Sequence, residues 1–136
     1  MRKSYKTNQL LFNLVTTSYD LPEFDLTAFS ELLKNLFKDR FAGLIHSIND
    51  DTGDRTLATT GSSQLIAGDD KIVEQLLGLN FEISMKSFFQ TNPKSAEKLY
   101  SKVIDYALEN KEAIDNTVVM DLFCGTGTIG QILASR

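Results

Sequence analysis

The apolar positions of this chain change their spacing as one reads along it, and each change predicts an element. Residues 9–17, Gln9-Leu10-Leu11-Phe12-Asn13-Leu14-Val15-Thr16-Thr17, are dense in large apolar and β-branched side chains. They are closed by Asp20-Leu21-Pro22, which predicts a strand followed by a turn. Leu26, Phe29, Leu32, Leu33, Leu36 and Phe37 then recur at spacings of three and four, the stripe of an amphipathic helix over 25–38 that should lie buried on a sheet. Asp25 stands where that helix needs a cap. Residues 42–49 alternate as a strand, and Asn49 to Asp54 concentrate turn formers. Short strands are expected at 55–60 and 62–66, residues 71–77 fit either a helical turn or a strand, and 79–84 alternate as a further strand. Residues 1–85 therefore read as a small central α+β domain.

After residue 86 the grammar changes. Asn92-Pro93 is a helix start, with Asn as cap and Pro at the first position, where a missing N–H costs nothing. Ala96, Leu99, Val103, Ile104, Ala107 and Leu108 mark one face of a helix to about residue 109, and a polar connection spans 110–116. Residues 117–123 form a nearly continuous apolar run that predicts a buried strand, turned by Gly125-Thr126-Gly127 into a helix from 128. Strand, glycine turn and helix are the opening of a parallel α/β sheet, whose two faces need further strands to cover them. Residues 86–136 are thus expected to be the truncated start of a Rossmann-like domain, and the chain a piece of a longer protein.

Composition narrows the class. With 136 residues, 42% hydrophobic and 24% charged, the chain has an ordinary globular make-up, which excludes collagen-like and disordered proteins. No apolar run approaches the ~18 uncharged residues of a membrane helix, and the start MRKSYKTNQL lacks a secretory core, so a cytoplasmic protein without a membrane partner is expected. One cysteine, Cys124, and one histidine, His46, cannot build an internal disulfide or a cysteine-rich metal site. His46, alternating with Leu44 and Ile48, reads as a satisfied, half-buried side chain. Asp50, Asp51 and Asp54 lack the later glutamate of a calcium loop and read as a solvated turn. The net charge is −4, with 8 basic and 12 acidic residues in 1–85 and 6 of each in 86–136. Neither part is the basic surface that grips phosphate backbones by charge.

The chemistry sits in Asp121-Leu122-Phe123-Cys124-Gly125-Thr126-Gly127-Thr128-Ile129-Gly130, at the predicted carboxyl end of a strand, where open α/β sheets place their ligands. The glycines permit a tight turn and close backbone approach, and the following helix offers N–H groups to an anionic group such as a carboxylate. Gly125-x-Gly127-x-x-Gly130 also fits the dinucleotide fingerprint, a weak signal alone. Asp121, four residues before the first glycine, is awkward for a pyrophosphate. It suits a cofactor with a sulfonium, an amino group and one carboxylate, a description that S-adenosylmethionine meets better than NAD. An equally simple reading of Asp121 is that it only bonds backbone N–H groups of the turn. Phe88-Phe89 by themselves read as core.

Lys86-Ser87-Phe88-Phe89-Gln90-Thr91-Asn92-Pro93, Ala96-Glu97-Lys98-Leu99-Tyr100 and the Asp121 to Gly130 motif together resemble the RNA (uracil-5-)-methyltransferase family. The likeness is to its RumA-type branch acting on 23S ribosomal RNA and its TrmA-type branch acting on transfer RNA. It is specific over 86–136 and looser over 9–85. The resemblance implies that Gln90, Phe123 and Thr128 contact the methyl donor, S-adenosylmethionine, with Asp121, Gly125 and Gly127 shaping the pocket. Thr128 departs from members with asparagine there, though its hydroxyl can still hydrogen-bond.

Family chemistry adds a cysteine thiolate to carbon 6 of uracil, so that carbon 5 attacks the donor methyl; a base then removes the carbon 5 proton and the cysteine leaves. The resemblance puts nucleophile and base beyond Arg136, so no catalytic residue is assigned, Cys124 is not the nucleophile, and the chain alone should be inactive. It also implies an RNA partner, 23S ribosomal RNA in preference to transfer RNA, while an exposed sheet edge would offer a route to self-association. Two rivals stand beside it. An NAD- or FAD-binding oxidoreductase would need an acid some ~20 residues past the glycines. A non-enzymatic RNA-binding module sits poorly with the acidic balance.

Overall fold

The computed structural model describes residues 1–18, 24–50, 62–109 and 118–136. The described elements are β1 (Arg2–Lys3), β2 (Leu10–Thr16), α1 (Leu26–Phe37), β3 (Phe41–Ile48), β4 (Ser63–Gly68), β5 (Lys71–Leu76), β6 (Leu79–Ser84), α2 (Pro93–Ala107) and α3 (Thr128–Ala134). They make a small α+β fold with a mixed four-stranded sheet, order β1-β2-β3-β4, and a separate β5-β6 hairpin. No helix among the described residues is long and apolar enough to cross a membrane.

The first sheet is organised by a β2-α1-β3 unit whose two strands run parallel, from Leu10 beside Phe41 to Thr16 beside Ile48. Asp25 caps α1 as expected, its Oδ1 accepting from the N–H groups of Thr27 and Ala28 at 2.9 and 3.0 Å. Phe12 packs between Phe37 and Phe41, with ring centroids 5.1 and 6.1 Å away, which fixes α1 to the sheet. The buried line of α1 runs through Ser30 and Leu33, whereas Leu32 and Leu36, expected on the buried stripe, are exposed. At 100° per residue these two leucines lie about 80–120° around the helix from the Leu26–Leu33–Phe37 line, outside what one sheet face can cover. Ser30 takes the inward place because its hydroxyl donates to Thr27 O at 2.9 Å and so goes in satisfied.

The segment 71–77, left open between helix and strand, is a strand because its inward positions alternate: Ile72, Glu74 and Leu76 are buried. It turns into β6 through Leu77-Gly78, with φ of 48° and 88°, the double positive-φ geometry of a type I′ hairpin. Leucine is unfavourable in that conformation. Here its side chain packs against the core of Leu76, Phe81, Tyr100 and Ile132, and its N–H donates to Glu97 Oε1 at 3.3 Å. Glu74 is only 1% exposed, yet it is satisfied: its carboxylate accepts from the N–H groups of Tyr5, Lys6 and Gln75 at 2.5, 3.0 and 3.0 Å. The chain before β2 is thereby tied to β5, and the edge strand β1, too short to show a periodicity, was not expected from sequence.

Asn92 caps α2, its Oδ1 accepting from Ser95 N–H at 3.2 Å, with Pro93 as the first helical residue. The buried row is Ala96, Tyr100 and Ile104, while Leu99 of the expected face is exposed. That row meets Leu76 and Phe81 of the hairpin and Ile132 of α3 in one core cluster. A second cluster joins Leu11 and Ala42 of the sheet to Ile72 and Ile83 of the hairpin, and Phe89 packs against both.

The strand expected at 117–123 is not formed over 118–123, and Rossmann architecture is not evident. Val118, Val119, Met120, Leu122 and Phe123 are exposed. The physical reason is pairing: a strand exists only as half of a ladder, and none of the described strands pairs with this run. The turn expected at 20–22, the strand at 55–60 and the connection at 110–116 lie outside the described residues.

Candidate functional site

The sequence turns sharply after Met120, and the turn is built from positive-φ positions: Phe123 at 61°, Gly125 at 56° and Gly127 at 69°. Glycine meets this demand at two of the three, while Phe123 adopts it at a cost of about 1–2 kcal/mol. Gly127 N–H donates to Cys124 O at 2.8 Å, and Gly127 then serves as the N-cap of α3, where it brings no side-chain acceptor. That acceptor comes from Asp121, whose Oδ2 takes the N–H of Gly130 at 3.1 Å. The side of Gly130 facing Asp121 is filled, since an added Cβ would meet the same Oδ2 at 3.1 Å. Gln131 Nε2 donates to Thr126 O at 3.1 Å, and the hydroxyls of Thr126 and Thr128 pair at 2.7 Å. One of the N–H groups expected to be free at the helix start is therefore taken by a carboxylate within the chain.

This turn faces the segment that leads into α2, and between them lies a cleft of about 260 Å³. Gln90, Asp121, Phe123, Gly125 and Thr128 line it together; Gly127 does not, and instead forms the start of α3. Four of these five come from the turn and Gln90 from thirty residues earlier, so the fold joins two separated motifs on one cavity. Gln90 is half-buried, lines the cleft and makes no hydrogen bond among the described residues, which leaves its amide donors and acceptor available. Among the described residues Asp121 is the sole charged side chain of the lining, and its Oδ1 has no partner there. Tyr100 closes the wall, with burial pushing its phenol above the ordinary tyrosine range, so it stays neutral.

Phe88 departs from the sequence reading: it is 77% exposed on the cleft rim, not core, and Phe89 takes the core place because it packs against both clusters. Cys124 is exposed. His46 is half-buried as expected, its Nε2 hydrogen-bonded to Thr16 Oγ1 at 2.9 Å on the neighbouring strand. Asp121 also lines a second, larger cavity of about 470 Å³ with Leu108, Val119 and Leu133, which sequence patterning gave no means to foresee because it depends on the 118–123 run lying unpaired.

No protein-family model matches the chain. It is 45% identical over 135 residues to an uncharacterized RNA methyltransferase of Clostridium tetani, covering 98% of this chain and 28% of that protein. It is 42% identical over 137 residues to one of Clostridium acetobutylicum, again 28% of the relative's length. Among solved structures it matches the Pyrococcus abyssi tRNA (uracil-54, C5)-methyltransferase in complex with S-adenosyl-L-homocysteine, with a TM-score of 0.67 and 26% identity over 99% of this chain and 29% of that one. The chain is thus homologous to a segment of RNA methyltransferases and spans a little over a quarter of their length.

Proposed function

We propose that this chain is part of an S-adenosylmethionine-dependent RNA (uracil-5-)-methyltransferase, with a central α+β domain over 1–85 and the opening of the donor-binding domain over 86–136. The observation that carries this reading is the cleft itself. It gathers Gln90, Phe123 and Thr128, expected at the donor, around Asp121, the one charge among the described lining residues. A pyrophosphate would face that carboxylate with no basic side chain among the described lining residues to offset it, which argues against NAD or FAD. A cationic ligand with a polar tail fits.

When bound, S-adenosylmethionine supplies an electrophilic methyl group on its sulfonium. The chain's own residues would hold it. Gln90 offers an unpartnered amide that can both donate and accept, Thr128 a hydroxyl, and Phe123 a ring face displayed by its left-handed backbone. Asp121 favours positive charge through Oδ1 while Oδ2 keeps the turn closed. Gly125 and Gly127 set the shape of the turn. Phe88 on the rim offers a face on which an unstacked base can rest. No group placed to attack carbon 6 of uracil is assigned within the chain, so activity is expected only from the longer protein, acting in the cytoplasm.

For the substrate we favour a uridine of 23S ribosomal RNA, on the RumA-like motifs; the likeness to the Pyrococcus abyssi transfer RNA enzyme supports transfer RNA as the second reading. The test is to incubate the longer protein, and separately this chain, with S-adenosylmethionine and purified 23S ribosomal or transfer RNA, and to measure 5-methyluridine by mass spectrometry of the nucleosides. The longer protein should form it on one RNA class and this chain on neither. A longer protein that makes no 5-methyluridine on either, or that binds NADH in place of the methyl donor, overturns the reading.

A further inference from the structure

Gln90 lies on a stretch that holds itself in place poorly. Phe88 to Thr91 belong to no helix or strand and make no backbone hydrogen bond among the described residues. What positions them must act from their ends and through Phe89. At the far end is the Asn92 cap of α2, and in the middle Phe89 packs against both core clusters. At the near end is the turn Ser84–Ser87. Ser87 N–H donates to Ser84 O at 3.3 Å, Ser84 N–H donates to Ser87 Oγ at 3.2 Å, and the two hydroxyls pair at 2.9 Å. This turn is gripped from outside by Arg2, whose Nη1 donates to Ser84 O at 2.9 Å and whose Nη2 donates to Ser87 O at 2.8 Å.

The fork spans the turn from its first carbonyl to its last. Guanidinium is planar, so two bonds to two carbonyls fix both their separation and their orientation, which a single ammonium cannot do. Arg2 is itself anchored, since β1 pairs with β2 and the following loop is tied to β5 through Glu74. The geometry points to Arg2 as a positioning residue for the cleft: it clamps the Ser84–Ser87 turn and thereby sets where Gln90 stands against the glycine turn. It touches neither cleft nor ligand; its effect runs through Gln90. The inference rests on the proposed donor site and adds to it a residue more than eighty positions away in sequence.

The experiment uses the longer protein carrying this segment, in four forms besides wild type: Arg2→Met, Arg2→Lys, Gln90→Ala, and Arg2→Met with Gln90→Ala. Two readouts are taken below every variant's unfolding temperature: the dissociation constant for S-adenosylhomocysteine by calorimetry, and the rate of tryptic cleavage after the exposed Lys86, inside the clamped turn. Arg2→Met should speed that cleavage about fivefold, because proteolysis follows the open population of the turn. It should also weaken donor-product binding about tenfold, the scale of one lost charge-assisted hydrogen bond. Arg2→Lys should recover part of both. Added to Gln90→Ala, Arg2→Met should weaken binding no further, because the two act in series. Unchanged cleavage in Arg2→Met, or binding losses that multiply in the double variant, overturns the inference. If Arg2→Met speeds cleavage while Gln90→Ala leaves binding unchanged, the donor reading of Gln90 is what fails, and the role of Arg2 in donor affinity goes with it.

Discussion

At the scale of single residues, Asp121 carries two roles that chemistry can separate. Its Oδ2 supplies the cap that Gly127 lacks, and its charge is the only one in the cleft among the described residues. Asparagine keeps an acceptor for Gly130 N–H and removes the charge; alanine removes both. Asp121→Ala should lower stability by about 1 kcal/mol, the usual worth of a cap, while Asp121→Asn should stay within about 0.5 kcal/mol of wild type. Both should weaken S-adenosylmethionine binding in the longer protein, and urea titration beside calorimetry reads the pair. An Asp121→Asn protein that binds like wild type would leave the residue with a structural task only. Caps such as Asp25 and Asn92 were legible in sequence because a cap is a local affair, one side chain reaching two or three residues ahead. The service Asp121 performs for Gly130, nine residues on, is not local, and neither is the exposure of Phe88, which follows from Phe89 having taken the core position.

At the scale of elements, α3 is anchored on Ile132. Ile132 is fully buried among Tyr100, Ile104 and Leu76, with Ile129 and Leu133 packed beside it and Thr128 the one other buried residue of the helix. A helix so short has no stability of its own in water and depends on packing. Ile132→Ala should therefore cost about 2–5 kcal/mol, the usual range for a buried isoleucine cut to alanine, and should release the glycine turn with it. The check is a denaturant midpoint together with hydrogen exchange, where loss of protection should concentrate in 126–134. Exchange that rises evenly over the whole chain would mean that α3 is not a separate unit. The helices and most of the described strands were readable because period two and period three to four survive burial, whereas β1 is too short to show a period and β5 fitted a helical turn as well as a strand. Which face turned inward was less so: Leu32, Leu36 and Leu99 lie outward although they extend apolar stripes. Stripe width is a property of the helix, whereas coverage depends on how much surface its neighbours present.

At the scale of the whole molecule, two properties of the surface set what this chain does alone. The first is charge: with 14 basic against 18 acidic residues it offers few phosphate contacts, so any binding to RNA should be weak and nearly flat in salt, a slope of about −1 or shallower in log K against log salt. Fluorescence anisotropy with labelled RNA at several salt concentrations measures this, and a steep slope would place the phosphate grip in this segment after all. The second is the apolar run over 118–123. Its backbone groups have no ladder partner among the described strands, its side chains Val118, Val119, Met120, Leu122 and Phe123 stand in water, and beside it lies the 470 Å³ cavity walled by Leu108 and Leu133. Unpaired strand-forming sequence next to an apolar hollow is a template for a second copy, because pairing satisfies the backbone and covers the side chains in one step. The chain alone should therefore self-associate in the range of tens of micromolar, on the order expected for exposed apolar edges. Sedimentation velocity should show a mass that climbs above 15.2 kDa with concentration. Val119→Lys with Leu122→Lys puts two like charges into the run, where pairing would bring them together, and should hold the chain at its monomer mass with the β2-α1-β3 unit intact by circular dichroism. A wild-type chain that stays monomeric across that range would show that the exposed run does not drive association, and a doubly substituted one that associates equally well would place the association surface elsewhere.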